Sequence, residues 1–391
     1  MRVTHVIGDL NPSSGGPASV VASLAAAQAG RGHDVCVIAS MPPQVQTKLR
    51  TATADIPDFA RVTRLPVEGI GLLHALRGRL PADAADRVAA SDVVHLHGVW
   101  EPLLLAASKL ARRHNRPWIV SPHGMLDVWA LARKPAKKQL ALRGLGYGRM
   151  LRTAAGMQAL SSHELNCLTS AAWNRNVFVL PNGVFLSQIE PLPTPGAFRR
   201  SQPALGDSPF VLFLARLHPG KGLNLIAEAF ARLPTALKDV QWVIAGPDFG
   251  AAAQLREQVS QLGISHRAHF IGPIYGPAKF SAYVDASVFA LPSEHEGFSM
   301  SIVEAMACGT PVVISPECHF QAVDKHGAGV VAERTAEAVA AALERVLSDP
   351  ASARQMGGRG RELVRSQYTW ERIAANLEQI ISQTTRPAPT G

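Results

Sequence analysis

Short runs of β-branched and other apolar residues alternate along the chain with longer segments in which small apolar residues recur at helical spacing. The first pair is an apolar run over residues 2–9 and an alanine-rich segment over 16–30. This alternation predicts strands joined by crossover helices, and therefore a parallel sheet. In this half of the chain the predicted strands cover residues 2–9, 35–39, 92–97, 118–121, 156–160 and 177–180.

A second series of the same kind follows a proline-containing stretch. Residues 187–209 show little periodic hydrophobicity and are predicted to be a linker. The strands predicted after them cover residues 210–215, 240–246, 268–271, 287–291 and 311–315. An amphipathic pattern over 370–382 predicts a terminal helix, and residues 384–391 are expected to form a disordered tail.

The length of 391 residues exceeds one ordinary core, so two domains are expected. We predict an α/β protein with two Rossmann-like, doubly wound parallel-sheet domains, over residues 1–190 and 205–368. Residues 369–383 would pack back toward the first domain. Ligands of such sheets bind beyond the carboxyl ends of the strands, so a central cleft between the domains is expected to hold them.

The net charge of +9 lies entirely in the first half of the chain. Residues 1–195 contain 21 Lys and Arg against 12 Asp and Glu (21 − 12 = +9), whereas residues 196–391 contain 18 of each. A one-sided basic surface indicates an anionic partner such as nucleic acid, acidic lipid or a phosphorylated acceptor. The alternative is a basic surface without a specific partner.

Composition also bears on the compartment. The four cysteines form no Cys-x-x-Cys pair, which favours reduced thiols in a cytoplasmic protein. The first apolar run ends at Asp9 and is predicted to be a strand, not a signal peptide. No stretch approaches the roughly 18 apolar residues of a membrane span. Any membrane contact is therefore expected to be peripheral, on the inner face.

The stretch from Pro292 to Ser315 contains the most informative motif. Glu296 lies in a turn before Gly297, and Glu304 is placed in the first turn of a short helix that ends near residue 309. Free N–H groups at a helix N-terminus suit an anion, and flanking carboxylates suit sugar or ribose hydroxyls. The pattern indicates a nucleotide sugar. The alternative is a capping box, in which Glu304 only caps the helix.

A second motif, Ala-Arg-Leu-His-Pro-Gly-Lys-Gly over residues 215–222, follows the first strand of the second domain. Arg216 and Lys221 would lie in a loop that leads into a helix, where two cations and a helix N-terminus form a diphosphate pocket. The alternative is a pair of solvated cations. In the first domain, Gly15 and Gly16 precede a helix and allow close backbone approach to a ligand, or form a simple turn.

Three histidines, His95, His97 and His123, fall at or near the ends of two predicted strands. A zinc site built from them is disfavoured, because no carboxylate or cysteine lies at ligand spacing. No Asp-x-Asp pair occurs either, so no metal-bridged diphosphate is expected. His123 is better explained as a residue of a cleft loop that follows a strand. Strand-end histidines without a function are the alternative.

Residues 126–152 combine seven Lys and Arg with one acidic residue and interleaved apolar residues. This pattern suits an interfacial helix on anionic lipid. A core helix with a solvated basic face is the alternative. Nucleic-acid binding is not expected, because no motif for it accompanies the charge.

These motifs together resemble glycosyltransferase family four (glycosyl transferases group 1), whose members are retaining enzymes with the GT-B fold. The resemblance implies that Glu296 contacts the donor sugar, Glu304 the ribose, and Arg216 and Lys221 the diphosphate. It places His123 near the donor sugar, assigns His97 and His123 to the acceptor side, and identifies Arg216, Lys221, Glu296 and His123 as catalytic. The implied donor-binding residues are Gly15, Gly16, Arg216, Lys221, Glu296, Gly297, Phe298, Ser299 and Glu304. Many members have glycine where this chain has Ser299.

The resemblance implies a metal-independent hexosyltransferase without a cofactor, which transfers sugar from a UDP- or GDP-linked donor to a hydroxyl with retention of configuration. The basic first half favours a lipid-linked oligosaccharide acceptor in cell-surface polysaccharide synthesis. Two other functions stay open: a GT-B epimerase or hydrolase of nucleotide sugars, and a non-catalytic protein that binds membrane surfaces.

Overall fold

The computed structural model describes residues 1–12, 16–133 and 135–384. The chain forms two compact units. One comprises Met1–Phe185 together with the C-terminal helix, and the other comprises Leu186–Thr369. Each is a parallel α/β unit of the predicted class.

The first unit contains a seven-stranded parallel sheet with the order β3-β2-β1-β4-β5-β6-β7. Its strands are β1 (Arg2–Asp9), β2 (Asp34–Ser40), β3 (Thr63–Pro66), β4 (Val93–His97), β5 (Trp118–Ser121), β6 (Gly156–Ala159) and β7 (Val177–Val179). Its helices are α1 (Gly16–Gly30), α2 (Pro43–Ala52), α3 (Leu72–Arg77), α4 (Ala82–Ala90), α5 (Pro102–Arg113), α6 (Val128–Ala132), α7 (Pro135–Leu140), α8 (Tyr147–Arg152) and α9 (Ser162–Ser170).

The second unit contains a six-stranded parallel sheet with the order β10-β9-β8-β11-β12-β13. Its strands are β8 (Phe210–Leu214), β9 (Gln241–Ala245), β10 (Ala268–Gly272), β11 (Val288–Leu291), β12 (Val312–Ile314) and β13 (Gly329–Val331). Its helices are α10 (Ala197–Ser201), α11 (Leu223–Arg232), α12 (Ala252–Gln261), α13 (Pro277–Asp285), α14 (Met300–Ala307), α15 (Ala322–Lys325), α16 (Ala336–Leu347) and α17 (Pro350–Gln367). The last helix, α18 (Trp370–Thr384), belongs to the first unit.

The central strands explain why their sequences read as continuous apolar runs. All residues of β4 and β11 are buried, because crossover helices cover both faces of a parallel sheet. In the first unit, α18 contributes Trp370, Ile373 and Leu377 to the core that α1 and β1 form. The small side chains of α1 allow this close packing, since most of them are fully buried.

The predicted strands agree with the structure to within one or two residues. Two edge strands, β3 and β13, escaped prediction because each is short and neither is fully buried.

The linker predicted over 187–209 is wrong as a separate segment. It belongs to the second unit and contains α10. The Asp285 carboxylate accepts hydrogen bonds from the backbone N–H groups of Gly196, Phe198 and Arg199, at 2.6, 2.9 and 3.1 Å, and so anchors this segment to α13.

Helices of the described residues are all too short or too polar to cross a membrane. The tail predicted over 384–391 lies outside those residues except for Thr384, which ends α18.

Candidate functional site

The loop between β8 and α11 forms the first side of the candidate site. Pro219–Lys221 makes one 3₁₀ turn, which His218 caps by accepting a hydrogen bond from the Gly220 N–H. Gly222 then adopts a φ of +74°, where a side chain is strained. A Cβ atom on Gly222 would also lie 2.1 Å from the carbonyl oxygen of Pro292. Glycine is therefore required here, because two loops pack backbone to backbone.

The partner loop follows β11 and carries the acidic motif. The Ser293 hydroxyl and the Glu294 N–H both donate to the Gly220 carbonyl, at 3.1 and 2.7 Å. Behind the loop, the Ser315 hydroxyl donates to the Ser293 carbonyl at 2.6 Å. The Glu296 N–H donates to the Glu317 carbonyl at 3.1 Å. Backbone N–H groups and two serine hydroxyls thus hold the backbone of both loops in place.

Lys221 and Glu296, predicted from separate motifs, meet in this place. Lys221 Nζ lies 2.5 Å from Glu296 Oε1. The two side chains are only 16% and 9% exposed, so solvent screens this pair less than a surface salt bridge. The positive charge and the carboxylate therefore form one unit, beside the N-terminus of α14.

Arg216 takes no part in this ion pair. Its side chain is exposed, and its guanidinium lies 5.3 Å from the centre of the Phe249 ring. Among the described residues it forms no ion pair. The structure therefore places Arg216 in the predicted loop but gives its side chain an aromatic neighbour in place of an acidic one.

Glu304 occupies a different position from the predicted one. α14 begins at Met300, after Ser299 in an extended conformation, so Glu304 is the fifth helical residue and lies beyond the first turn. Glu304 Oε1 accepts a hydrogen bond from Lys279 Nζ at 2.8 Å, and Oε2 accepts one from the Tyr283 hydroxyl at 3.3 Å. The capping-box alternative is wrong, because the carboxylate faces α13 and Ser301 lies inside the helix.

The other residues predicted on this loop differ in their surroundings. Phe298 packs its ring against those of Phe320 and Tyr368, with centroids 5.3 and 6.2 Å apart. Ser299 is buried and makes no side-chain cap bond. Gly297 has open space where a side chain would lie. Lys279 and Tyr283, which hold Glu304, were missed because no motif marks them.

Of the two glycines predicted in the first unit, Gly15 lies outside the described residues. Gly16 is exposed and begins α1, and no atom of the described residues lies within 4 Å of the place where a Cβ would lie. The described part of the chain therefore does not require glycine at this position.

The first unit also contains a buried cluster of imidazoles. Parallel pairing of β1 with β4 sets His5 beside His95, and the His95 and His97 rings lie 4.0 Å apart between centroids. A hydrogen bond of 2.9 Å joins His5 Nδ1 to His97 Nε2, and one of 3.1 Å joins His97 Nδ1 to His123 Nε2. Sequence reasoning missed His5, because strand pairing cannot be read from one strand.

Burial governs the protonation of these rings. It lowers the pKa of His5 and of His123 to about 4, and it lowers the pKa values of His95 and His97 well below the usual range. The cause is loss of hydration of the charged form; the charges of neighbouring imidazoles add to it at His95 and His97. All four rings are therefore neutral near pH 7.

One nitrogen from each of His5, His95 and His97 lies within 4.8 Å of the others, which is metal-ligand spacing. A divalent ion held by these three histidines, without a carboxylate or thiolate ligand, would place two positive charges in a fully buried site, at a high desolvation cost. Two of the three imidazoles already bond to one another. The arrangement is better described as a hydrogen-bonded chain than as a metal centre.

Neutral buried histidines predict an acid-sensitive fold. The unfolded chain binds protons near pH 6.5, whereas His5 in the folded chain does so only near pH 4. The free energy of unfolding should therefore fall as the pH drops through this window, by roughly 3 kcal/mol for His5 alone. Urea unfolding at pH values between about 7.5 and about 4.5 measures the slope of the free energy of unfolding against pH.

The variant His5→Gln should flatten this slope, whereas the control His74→Gln, at an exposed position in α3, should leave it unchanged. An equal slope in wild type and His5→Gln would contradict the assignment.

The basic segment over 126–152 is not one interfacial helix. It breaks into α6, α7, a π-helical turn at Ala141–Leu145, and α8. Its first part exposes apolar side chains, with Val128 74%, Trp129 47% and Leu140 64% exposed. Its last part buries Tyr147, Met150 and Leu151 in the core.

A cavity of about 320 Å³ lies between α3, α5 and this segment. Its cationic lining residues are Lys109, Arg112, Arg113 and Arg149, and no acidic residue lines it. Burial, together with the charges of Arg112 and Arg113, lowers the pKa of Lys109. Lys109 and Arg113 donate to carbonyl groups at the end of α3. The cavity lining therefore carries positive charge that no acidic lining residue neutralises.

Comparison with known proteins extends this picture. The family model described as glycosyl transferases group 1 matches residues 196–363, and that of the glycosyl transferase 4-like domain matches residues 15–183. A D-inositol 3-phosphate glycosyltransferase of Kineococcus radiotolerans is 30% identical, over 88% of this chain and 85% of its own. The chain belongs to the glycosyl transferases group 1 family.

Other members of the family match as widely. The GDP-mannose:cellobiosyl-diphosphopolyprenol alpha-mannosyltransferase of Xanthomonas oryzae pv. oryzae is 25% identical, over 85% of this chain and 84% of its own. Among solved structures, Anabaena HepE in complex with UDP and glucose superposes with a TM-score of 0.77, over 98% of this chain and all of the other, at 19% identity. This glycosyltransferase therefore has the predicted GT-B fold, with one Rossmann-like sheet in each unit.

Proposed function

We propose that this glycosyltransferase transfers a hexosyl group from a UDP- or GDP-linked sugar to a hydroxyl of a lipid-linked acceptor, with retention of configuration. The observation that carries the proposal is the Lys221–Glu296 pair, held where two loops of the second unit lock together. It sets a fixed positive charge beside a carboxylate at the carboxyl ends of parallel strands. A nucleotide sugar requires a positive charge for its diphosphate and, beside it, a carboxylate that accepts hydrogen bonds from its sugar hydroxyls.

The donor would bind through charge and hydrogen bonding. Lys221 and Arg216 bind the diphosphate, the first as a point charge and the second as a two-pronged donor. The free N–H groups at the start of α14, beside Gly297, add a positive dipole end. Glu304, oriented by Lys279, accepts from the ribose hydroxyls.

The chemical task is the departure of the diphosphate while positive charge develops on the sugar. Negative charge grows on the phosphate oxygens, so Lys221, Arg216 and the backbone near Gly297 stabilise the transition state most. Glu296 orients the sugar and keeps Lys221 in place. The departing phosphate itself accepts the proton of the acceptor hydroxyl, and no metal ion takes part. His123 and His97 supply polar contacts in the first unit.

The names of two relatives and the charge of this chain support the acceptor class. The Xanthomonas oryzae relative is named for a diphosphopolyprenol-linked acceptor, and the Kineococcus radiotolerans relative for an inositol phosphate. Both names describe phosphorylated acceptors, and the positive charge of this chain is concentrated in residues 1–195. A phosphorylated, lipid-linked saccharide used in polysaccharide synthesis on the cytoplasmic side of a membrane fits both facts.

A panel of UDP- and GDP-sugars in a thermal-shift assay tests the proposal, followed by NMR of the product with each stabilising donor. We expect one donor to raise Tm and to yield a product of unchanged anomeric configuration, with or without a chelator. Free sugar in the absence of acceptor would support an epimerase or hydrolase. A panel without any shift would favour a non-catalytic membrane binder.

Docking on an anionic membrane is part of the same proposal. The exposed Val128, Trp129 and Leu140 and the cavity lined by four cations belong to one unit. Apolar side chains that insert at an interface, combined with surplus positive charge, suit anionic lipid. We expect co-sedimentation with vesicles that contain phosphatidylglycerol, and release at high salt.

The double variant Val128→Ser/Trp129→Ser should weaken vesicle binding severalfold, because two inserting side chains are lost. Tyr275→Ser, which removes an aromatic ring of the other unit that is more exposed than Trp129, is the control and should bind as wild type does. Binding that ignores lipid charge and salt would argue against docking.

A further inference from the structure

Four side chains of the first unit form an unbroken hydrogen-bonded chain, here called the histidine relay: Gln28, His5, His97 and His123. Gln28 Oε1 lies 2.7 Å from His5 Nε2, His5 Nδ1 lies 2.9 Å from His97 Nε2, and His97 Nδ1 lies 3.1 Å from His123 Nε2. Gln28, His5 and His97 are almost fully buried, whereas His123 is partly exposed. The relay therefore runs from the interior to the surface of the unit.

A chain of neutral imidazoles has a direction. Each neutral ring has one N–H donor and one bare acceptor nitrogen, so a ring that donates to one neighbour must accept from the other. Burial keeps His5, His97 and His123 neutral near pH 7. The whole relay is consequently restricted to two arrangements of opposite direction.

Gln28 selects between them. Its amide oxygen faces His5 Nε2, and an amide oxygen only accepts, so His5 carries its proton on Nε2. His5 Nδ1 is then bare and accepts from His97 Nε2, and His97 Nδ1 accepts from His123 Nε2. His123 Nδ1 is left as the bare nitrogen. It is the one ring nitrogen of the relay without a hydrogen bond to the described residues.

The surroundings hold these rings in place. The His95 ring lies against that of His97, and its Nε2 is tied to the Ser121 hydroxyl at 2.6 Å. The backbone of His123 has a φ of +52°, which is uncommon for a residue with a side chain and costs free energy. The next N–H, of Gly124, donates to the buried Glu164 carboxylate at 2.8 Å. A strained position that is braced on both sides is typical of functional sites.

Gln28 itself is held at a cost. Its Nε2 is buried and has no hydrogen-bond partner. The reversed amide would donate to His5 Nε2 and would reverse every hydrogen bond of the relay, so the tautomer of His123 follows the orientation of this amide. The amide orientation therefore decides the direction of the relay.

We propose that Gln28 and His5 are positioning residues that fix the tautomer of His123, so that His123 Nδ1 accepts a hydrogen bond from a substrate hydroxyl. The role of His123 toward substrate rests on the proposed function; the direction of the relay does not. A sugar hydroxyl oriented in this way donates to His123 and leaves its oxygen lone pairs for other contacts.

Long-range ¹H–¹⁵N NMR spectra of the full chain with labelled histidine test the direction, since they distinguish protonated from bare ring nitrogens. We expect His123 to be protonated on Nε2 in wild type. Gln28→Met removes the selecting group and should give a mixture of tautomers. A wild-type His123 protonated on Nδ1, or an unchanged tautomer in Gln28→Met, would overturn the proposal.

Kinetics with the donor found by the panel test the consequence. Gln28→Met should lower kcat/KM roughly three- to tenfold, the worth of one well-placed hydrogen bond. Asn174→Leu removes another buried amide of the first unit, which donates to the Leu151 and Ala154 carbonyls, and is the control for general loss of packing. It should lower Tm without changing the His123 tautomer.

A tautomer change in Gln28→Met without a kinetic effect would overturn the positioning role. Absence of sugar transfer in every variant and in wild type would instead refute the proposed function, and the NMR spectra would still decide the direction of the relay.

Discussion

Replacing Lys221 with alanine is expected to lower kcat/KM for sugar transfer by more than about tenfold, because one charge-assisted contact to the departing diphosphate is lost. The loss should appear largely in kcat, since charge on the phosphate oxygens is greatest in the transition state. Steady-state kinetics with the donor identified by thermal shift measure it. Lys238→Ala, which removes an exposed lysine of the same unit, is the control and should not change kcat/KM.

The same substitution leaves Glu296 without its cation at a position that is 9% exposed, so stability must be separated from catalysis. Lys221→Ala/Glu296→Gln removes both charges and should recover the Tm that the single variant loses. Its activity should stay low. Recovery of activity along with Tm would mean that Lys221 serves the fold and not the diphosphate.

Gly222→Ala is expected to produce the largest structural effect of a single methyl group in the site. A left-handed φ of +74° costs an alanine roughly 1–2 kcal/mol. The added Cβ also meets the Pro292 carbonyl at 2.1 Å, so the two loops must separate. We expect the free energy of unfolding to fall by at least about 2 kcal/mol. Transfer activity should fall as well, because Lys221 is the preceding residue.

Gly220→Ala is the matched control, two residues earlier in the same turn. Its Cβ would meet Glu294 and His218 only at 3.4 Å, which is ordinary contact. Urea unfolding and kinetics of both variants separate the close approach from a general effect of adding a methyl group. Equal effects of the two substitutions would contradict the backbone packing assigned to Gly222.

The second unit illustrates how far sequence reasoning reaches into the site. Arg216, Lys221, Glu296 and Glu304 lie in motifs that follow strands, and the carboxyl ends of parallel strands share one edge of a sheet. That rule brings Lys221 and Glu296 near each other. It does not supply the 2.5 Å pair, the stacking of Arg216 on Phe249, or the start of α14 at Met300. These depend on how neighbouring side chains and backbone groups compete for the same space.

The first unit shows the opposite case. His97 and His123 were identified from the sequence, but the two residues that order them were not. His5 lies in β1 and Gln28 in the last turn of α1, where each looks like an isolated polar residue in an apolar segment. Only the pairing of β1 with β4 and the packing of α1 on the sheet show that they belong to one chain of hydrogen bonds.

The amino-acid sequence by itself determined the parallel α/β class, two repeated units and the loops that carry the site, because these follow from local periodicity and from residues adjacent in the chain. The tertiary structure alone decided which charges pair, which carboxylate faces which helix, and which buried rings share protons. Hydrogen bonds and ion pairs act over about 3 Å, and the partners here are separated by up to 92 positions along the chain. Only the folded chain brings such partners within that distance.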